Sequence, residues 1–199
     1  MTVKINADTS DGLKFVSDTS GAIDLQSNGT TNASLDANGN FTHKGIEVDM
    51  FRLTTATSNG ANADITANLE RCDNSSFSKI GTGMSQSSGI FTFPRTGVYE
   101  VKVMALIDAG DGDGTAEVFT QVTTNNSSYG IVSACIGGDD QGTNSVQINV
   151  YSQCFVNVTD TSNVKVKFTT NSFGGSSHLE GSSNQNQTSF SFIRLGDSQ

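Results

Sequence analysis

Four carboxylates crowd one short stretch, "DAGDGDGTAE": Asp108, Asp111, Asp113 and Glu117, with glycines between them. Clustered oxygens on a flexible loop suit Ca²⁺, which gathers about six to eight of them. Asp108, Asp111 and Asp113 are the candidate calcium ligands, although their spacing fits no EF-hand and a solvated acidic turn is the plainer account. Asp139 and Asp140 in "CIGGDDQG" repeat the theme more weakly. The two histidines, His43 and His178, have no nucleophile–base–orienter set beside them and read as solvated loop residues. Cys72, Cys135 and Cys154 are an odd count without metal-type spacing. Cys154 keeps phase with apolar neighbours, as a buried free thiol does. None of the 21 glycines falls in a phosphate-cradling motif. No spacing singles out a carboxylate pair for glycoside hydrolysis. The expectation is a non-enzymatic protein without a resident cofactor, calcium being the one candidate ion.

The elements that position these groups come from the rest of the chain. A net charge of −9, with only 11 scattered Lys and Arg in 199 residues, argues against a nucleic-acid binder. Apolar content is low at 34%, yet it falls in alternating blocks, so order is expected in most of the chain. The opening "MTVKINADTS" shows no secretory h-region, and no apolar run approaches the roughly 20 residues of a membrane helix. Folding in a reducing cytosol is the expectation. Asn-x-Ser/Thr triplets such as that at Asn28 are then chance products of an Asn/Ser/Thr-rich chain.

No segment keeps helical spacing; the runs are short, β-branched or aromatic, and broken by Gly, Asn, Asp and Ser. The chain reads as all-β. Residues 1–48 form a first unit of three or four very short strands, turning at Asp11-Gly12, Asn28-Gly29 and Asn38-Gly39. Its apolar residues, Leu13, Phe15, Ile23, Leu25, Leu35 and Phe41, are too few for a dependable core. Such a unit needs its own copies, the second domain or a foreign surface to lean on.

Residues 49–199 carry longer strands. "MFRLTTAT" and "DITANLERC" come first. Then "GIFTFPRTGVYEVKVMALID" places the only proline at a corner before a long strand. Tyr99, Val101, Val103, Ala105 and Ile107 line one face of that strand. The other face starts polar at Glu100 and Lys102 and turns apolar at Met104 and Leu106. A strand buried on one side only would stay polar there, so a second burial surface is expected over Met104 and Leu106. In "SVQINVYSQCFVNVTD", Val146, Ile148, Val150, Cys154, Val156 and Val158 point one way. Tyr151 and Phe155 point the other. "TAEVFTQVTTN" and "YGIVSACIGG" pair, "NVKVKFTTN" follows, and "TSFSFIRLGD" closes the chain. About ten strands with turns between them predict a two-sheet jelly-roll sandwich.

"SSGIFTFPRTGVYEVKVMALI" resembles the globular heads of the complement first-component q subunit and its tumour-necrosis-factor relatives. The matching positions are Gly89, Phe91, Thr92, Pro94, Gly97, Val98 and Tyr99. "TSFSFIRLG" is similar to that family's closing strand, at Ser189, Phe190, Ser191 and Ile193, and "VNVTDTSNVKVKF" to its final hairpin. The resemblance runs from about Met50 to Asp197. It departs from the secreted members' cysteine patterns, and no collagen-like stalk precedes the head. It implies a ten-stranded jelly roll that associates as a homotrimer. Met104, Leu106, Tyr151 and Phe155 would lie at the threefold contact, or the two aromatics would be scattered surface residues.

The first unit, "GLKFVSDTSGAIDLQSNGTTNASLDANGNFTHKG", resembles segments of tailed-bacteriophage fibre and appendage proteins. The resemblance is carried by Asp18, Thr19, Ser20, Gly21, Leu25, Asn28, Gly29, Thr30, Asp36, Gly39 and Asn40. It implies a virion surface protein made in an infected bacterium's cytoplasm. Residues 1–48 would grip a major capsid protein or a tail protein, and the head would stand outward. The expected role is capsid decoration. The alternatives are a tail fibre or receptor-binding tip holding host-surface glycan or protein, and a soluble carbohydrate-binding module. Nucleic acid and membrane insertion are not expected.

Overall fold

The computed structural model describes residues 21–75, 77–110, 112–139 and 144–199. Leu13, Phe15, the Asp11-Gly12 turn, Asp18, Thr19, Ser20, Asp111 and Asp140 lie outside the described residues. Every regular element of the described residues is a β-strand. The chain divides into two units, Met1–Gly45 and Ile46–Gln199.

In the first unit, β1 (Ile23–Ser27), β2 (Thr30–Leu35) and β3 (Phe41–His43) form an antiparallel meander. Asn28 and Gly29 both take positive φ, 51° and 75°, as a two-residue hairpin turn demands. The next turn is organised by Asp36. Its carboxylate accepts hydrogen bonds from Asn40 Nδ2 (2.8 Å), Asn40 N (2.8 Å) and Asn38 N (2.9 Å). These donors, the Asn40 side chain foremost, hold the Asp36 carboxyl below its usual range. Register stacks Ile23, Leu35 and Phe41 in one row and Leu25, Ala33 and His43 in the next. The opposite face carries a polar ladder, Thr31 to Asp24 at 3.0 Å and Ser34 to Thr42 at 2.6 Å. Of the apolar row members only Ala33 is buried, and Phe41 stays 65% exposed.

The second unit is a sandwich. One sheet orders β11 (Val146–Val158), β8 (Gly97–Ala109), β14 (Ser189–Gly196), β4 (Val48–Leu53) and β5 (Leu69–Arg71), with β13 (His178–Leu179) paired to β8. The other orders β10 (Gly130–Gly137), β9 (Ala116–Thr123), β12 (Lys165–Asn171), β7 (Ile90–Thr92) and β6 (Ser85–Ser87). All pairings are antiparallel, and strands distant in sequence pair within each sheet (β11 with β8, β8 with β14, β9 with β12). The chain crosses from sheet to sheet between β8 and β9, β10 and β11, and β11 and β12, as in a jelly roll. Tyr99, Val101, Val103, Ala105 and Ile107 are fully buried, as the alternation predicts. They face Val118, Val166 and Phe168 of the other sheet. Phe51, Phe91, Phe168, Phe190 and Phe192 pack as a ring cluster, with the Phe51 and Phe91 centroids 5.1 Å apart edge to face. Such contacts add about 0.5–1.5 kcal/mol each beyond area burial.

The proline corner has a physical purpose. The Tyr99 hydroxyl donates to the Arg95 carbonyl at 3.0 Å, tying the turn to the strand it launches. Arg95 reaches the buried Glu47 carboxylate at 2.9 Å. Gly97 sits at φ 150°, and a Cβ there would lie 2.4 Å from Arg194 Nε and 2.6 Å from the Gly196 carbonyl. Gly97 and Tyr99 are thus a steric and a hydrogen-bonding requirement of the corner.

Two expectations need correction. In "DITANLERC" only Leu69–Arg71 is a strand. The residues before it drape over the sandwich edge, where Ile65 N donates to Phe168 O (2.9 Å) and Thr170 N to Ala63 O (3.0 Å). Nor is His178 a loop residue. It opens β13, held because Leu179 is fully buried and its backbone exchanges bonds with Thr57.

Candidate functional site

The outward face of the larger sheet is built in rows by strand register. Val48, Ile193, Glu100 and Phe155 form one row across β4, β14, β8 and β11. Met50, Ser191, Lys102 and Gln153 form the second, and Arg52, Ser189, Met104 and Tyr151 the third. Beyond them lie Leu106 opposite Asn149, and Asp108 between His178 and Gln147.

The two halves of this face differ. On the β4 side the chain covers itself. Arg52 is 1% exposed, its guanidinium bonded to Glu70 (2.7 Å) and Asp73 (2.5 Å). Burial works against its charge, but those two carboxylates outweigh it and hold the pKa above its usual value. Cys72 donates to Asn186 at 3.3 Å, and Asn186 in turn reaches the Met50 sulfur at 3.4 Å. On the β8–β11 side no such cover exists among the described residues. Tyr151 is 72% exposed and Phe155 66% exposed, while Met104 and Leu106 are half-buried beside them.

Sequence reasoning missed a second apolar patch. β10 and β11 are the edge strands of their two sheets and lie side by side. Ile131, Val132, Ile136 and Val146 are all exposed along that edge. The signal was present in "GIVSACIGG", whose apolar residues occupy both parities around a register shift between Ile131 and Ser133. An uncapped edge with exposed apolar side chains is a pairing hazard unless a partner covers it.

Of the acidic loop, Asp108, Asp113 and Glu117 are described. Asp113 Oδ2 accepts from Gly174 N at 2.7 Å and from the Ser177 hydroxyl. Glu117 accepts from Asn171 Nδ2 at 2.6 Å. Among the described residues, Asp108 groups with His178 and Glu180. All three cysteines are free thiols, Cys72 and Cys135 buried and Cys154 partly so. Burial pushes each thiol up, away from nucleophilic character.

No family model matches the sequence, and no curated protein compared with it does so. Solved structures do match. Murine APRIL aligns over 75% of this chain and 99% of its own, with a TM-score of 0.54 at 14% identity. The Eiger TNF of S. frugiperda aligns over 78% of this chain and 96% of its own, with a TM-score of 0.58 at 15% identity. The globular domain of zebrafish complement 1qA aligns over 78% of this chain and all of its own, with a TM-score of 0.49 at 14% identity. The sandwich of residues 46–199 therefore has the jelly-roll fold of tumour-necrosis-factor-like heads.

Proposed function

We propose that this chain is a non-enzymatic, self-associating head, a homotrimer, that serves on the surface of a bacteriophage virion. One observation carries the association: two adjoining apolar patches on one subunit, the Tyr151–Phe155 face and the edge where β10 runs beside β11, each without cover among the described residues. A face meeting a neighbouring copy's edge makes a head-to-tail contact that can close into a ring. Exposed Tyr151 and Phe155 are the large, rigid aromatic side chains that the core of an interface buries. The jelly roll and the resemblance of "GIFTFPRTGVY" to trimeric heads favour three copies over two.

The virion role draws on the first unit. Its small sheet leaves Ile23, Leu25, Leu35 and Phe41 exposed, and its sequence resembles phage fibre segments. In this reading residues 1–48 attach to a capsid or tail protein and the head projects outward. Capsid decoration is favoured in this reading, with the exposed apolar side chains of the small sheet as the gripping surface. A receptor-binding tip that holds host glycan or protein is the second reading. Purified protein incubated with genome-filled or empty heads and, separately, with host cells tests the choice. Head binding without cell binding supports decoration, and the reverse supports a receptor tip.

A further inference from the structure

We propose that Asp108, His178 and Glu180 form a site for one divalent transition-metal ion of the zinc type. Two of the three come from paired strands and the third follows directly on one of them. His178 opens β13 directly opposite Asp108 of β8, and Glu180 lies two residues beyond His178 on the same face. Their ligand atoms all lie within 4.8 Å of one another. Buried Ile107 and Leu179 fix the backbone beneath, and Glu180 N donates to Leu106 O at 2.8 Å. The set is therefore held by sheet pairing and not by a mobile loop.

The distance between histidine and glutamate is informative. His178 Nε2 and Glu180 Oε1 are 3.6 Å apart, beyond hydrogen-bonding range for these atoms. Two ligands about 2.1 Å from a tetrahedral ion stand roughly 3.4 Å apart, close to that spacing. His178 Nε2, the ring nitrogen beside the Glu180 carboxylate, is the one that would ligate the ion. Gln147 Nε2 donates to Glu180 Oε1 at 3.1 Å and steadies the carboxylate from β11. Both side chains are only about one-fifth exposed, 20% for His178 and 21% for Glu180.

Donor chemistry selects the ion. One imidazole nitrogen and two carboxylate oxygens suit zinc and its first-row neighbours. Calcium takes oxygen alone, in larger number. Three protein ligands leave a fourth position for water or for a group from another molecule. The site is complete within one chain, so it does not depend on the homotrimer.

The test is titration of chelator-treated full-length protein with Zn²⁺, and in parallel with Ca²⁺, by calorimetry and thermal melting. One Zn²⁺ per chain, with a raised melting temperature, is expected. His178→Ala should weaken binding at least tenfold, and so should Glu180→Gln, a near-isosteric change that serves if the first variant fails to fold. Co²⁺ substitution should give visible d–d bands without the intense sulfur charge-transfer band of a cysteine site. Absence of Zn²⁺ binding overturns the proposal. So do unchanged affinity in a folded variant, a sulfur band, or Ca²⁺ bound more tightly than Zn²⁺.

Discussion

Met104 of β8 stands opposite Tyr151 of β11 in one ladder and opposite Ser189 of β14 in the other. The thioether thus lies between an exposed aromatic ring and a small hydroxyl, half-buried with no lid among the described residues. An adaptable apolar side chain in that position is suited to meeting a second surface.

A charge placed on this face should separate subunits without unfolding them. Phe155→Glu and Met104→Glu each bury an unpaired carboxylate in the proposed contact, costing about 3 kcal/mol or more. That is at least a hundredfold in association. Light scattering should show a shift to lower mass at working concentration, while circular dichroism stays that of a folded β protein. An unchanged oligomer would place the contact elsewhere.

The β10 edge should behave as the other half of the same contact. Ile136→Asp is expected to weaken association about as much as Phe155→Glu. The double variant should lose little more than either single, because both residues serve one interface. Analytical gel filtration across a dilution series reads this directly.

At the proline corner, Tyr99→Phe removes the bond to the Arg95 carbonyl and should lower stability by about 1–2 kcal/mol in urea unfolding. Gly97→Ala should cost more, about 2–3 kcal/mol, since it combines positive φ with contacts inside 2.7 Å. A Gly97→Ala protein as stable as the parent would contradict the steric account.

Alkali should expose the same tyrosine. Burial foremost, with the nearby Glu47 charge, pushes the Tyr99 phenol up to about 12. The folded state then holds the proton more tightly than the unfolded chain, whose phenols ionise near pH 10. Stability from this group is complete below about pH 10 and is lost as pH rises towards 12. Unfolding midpoints measured across that range should fall, and Tyr99→Phe should flatten the fall.

Much of the fold was legible because period-two alternation reports burial on one face of a sheet. Tyr99 to Ile107 and Val164 to Phe168 needed nothing else. Short strands escaped for the same reason. β13 is two residues long, too short to show a period, and its place depends on buried Leu179 pairing with Ile107. The Asp108–His178–Glu180 group was illegible because its members are about 70 residues apart in sequence and meet only through that pairing. Nor could the partners of Asp113 be read, since Gly174 and Ser177, which donate to its Oδ2, lie about 60 residues on. Arg52 could not be read either, since the carboxylates that permit its burial arrive from residues 70–73.

Sedimentation equilibrium of the intact chain at micromolar concentration tests the central claim most directly. The account expects a single species of three chain masses, shifting towards one chain mass for Phe155→Glu. A well-folded single chain across that concentration range would contradict it.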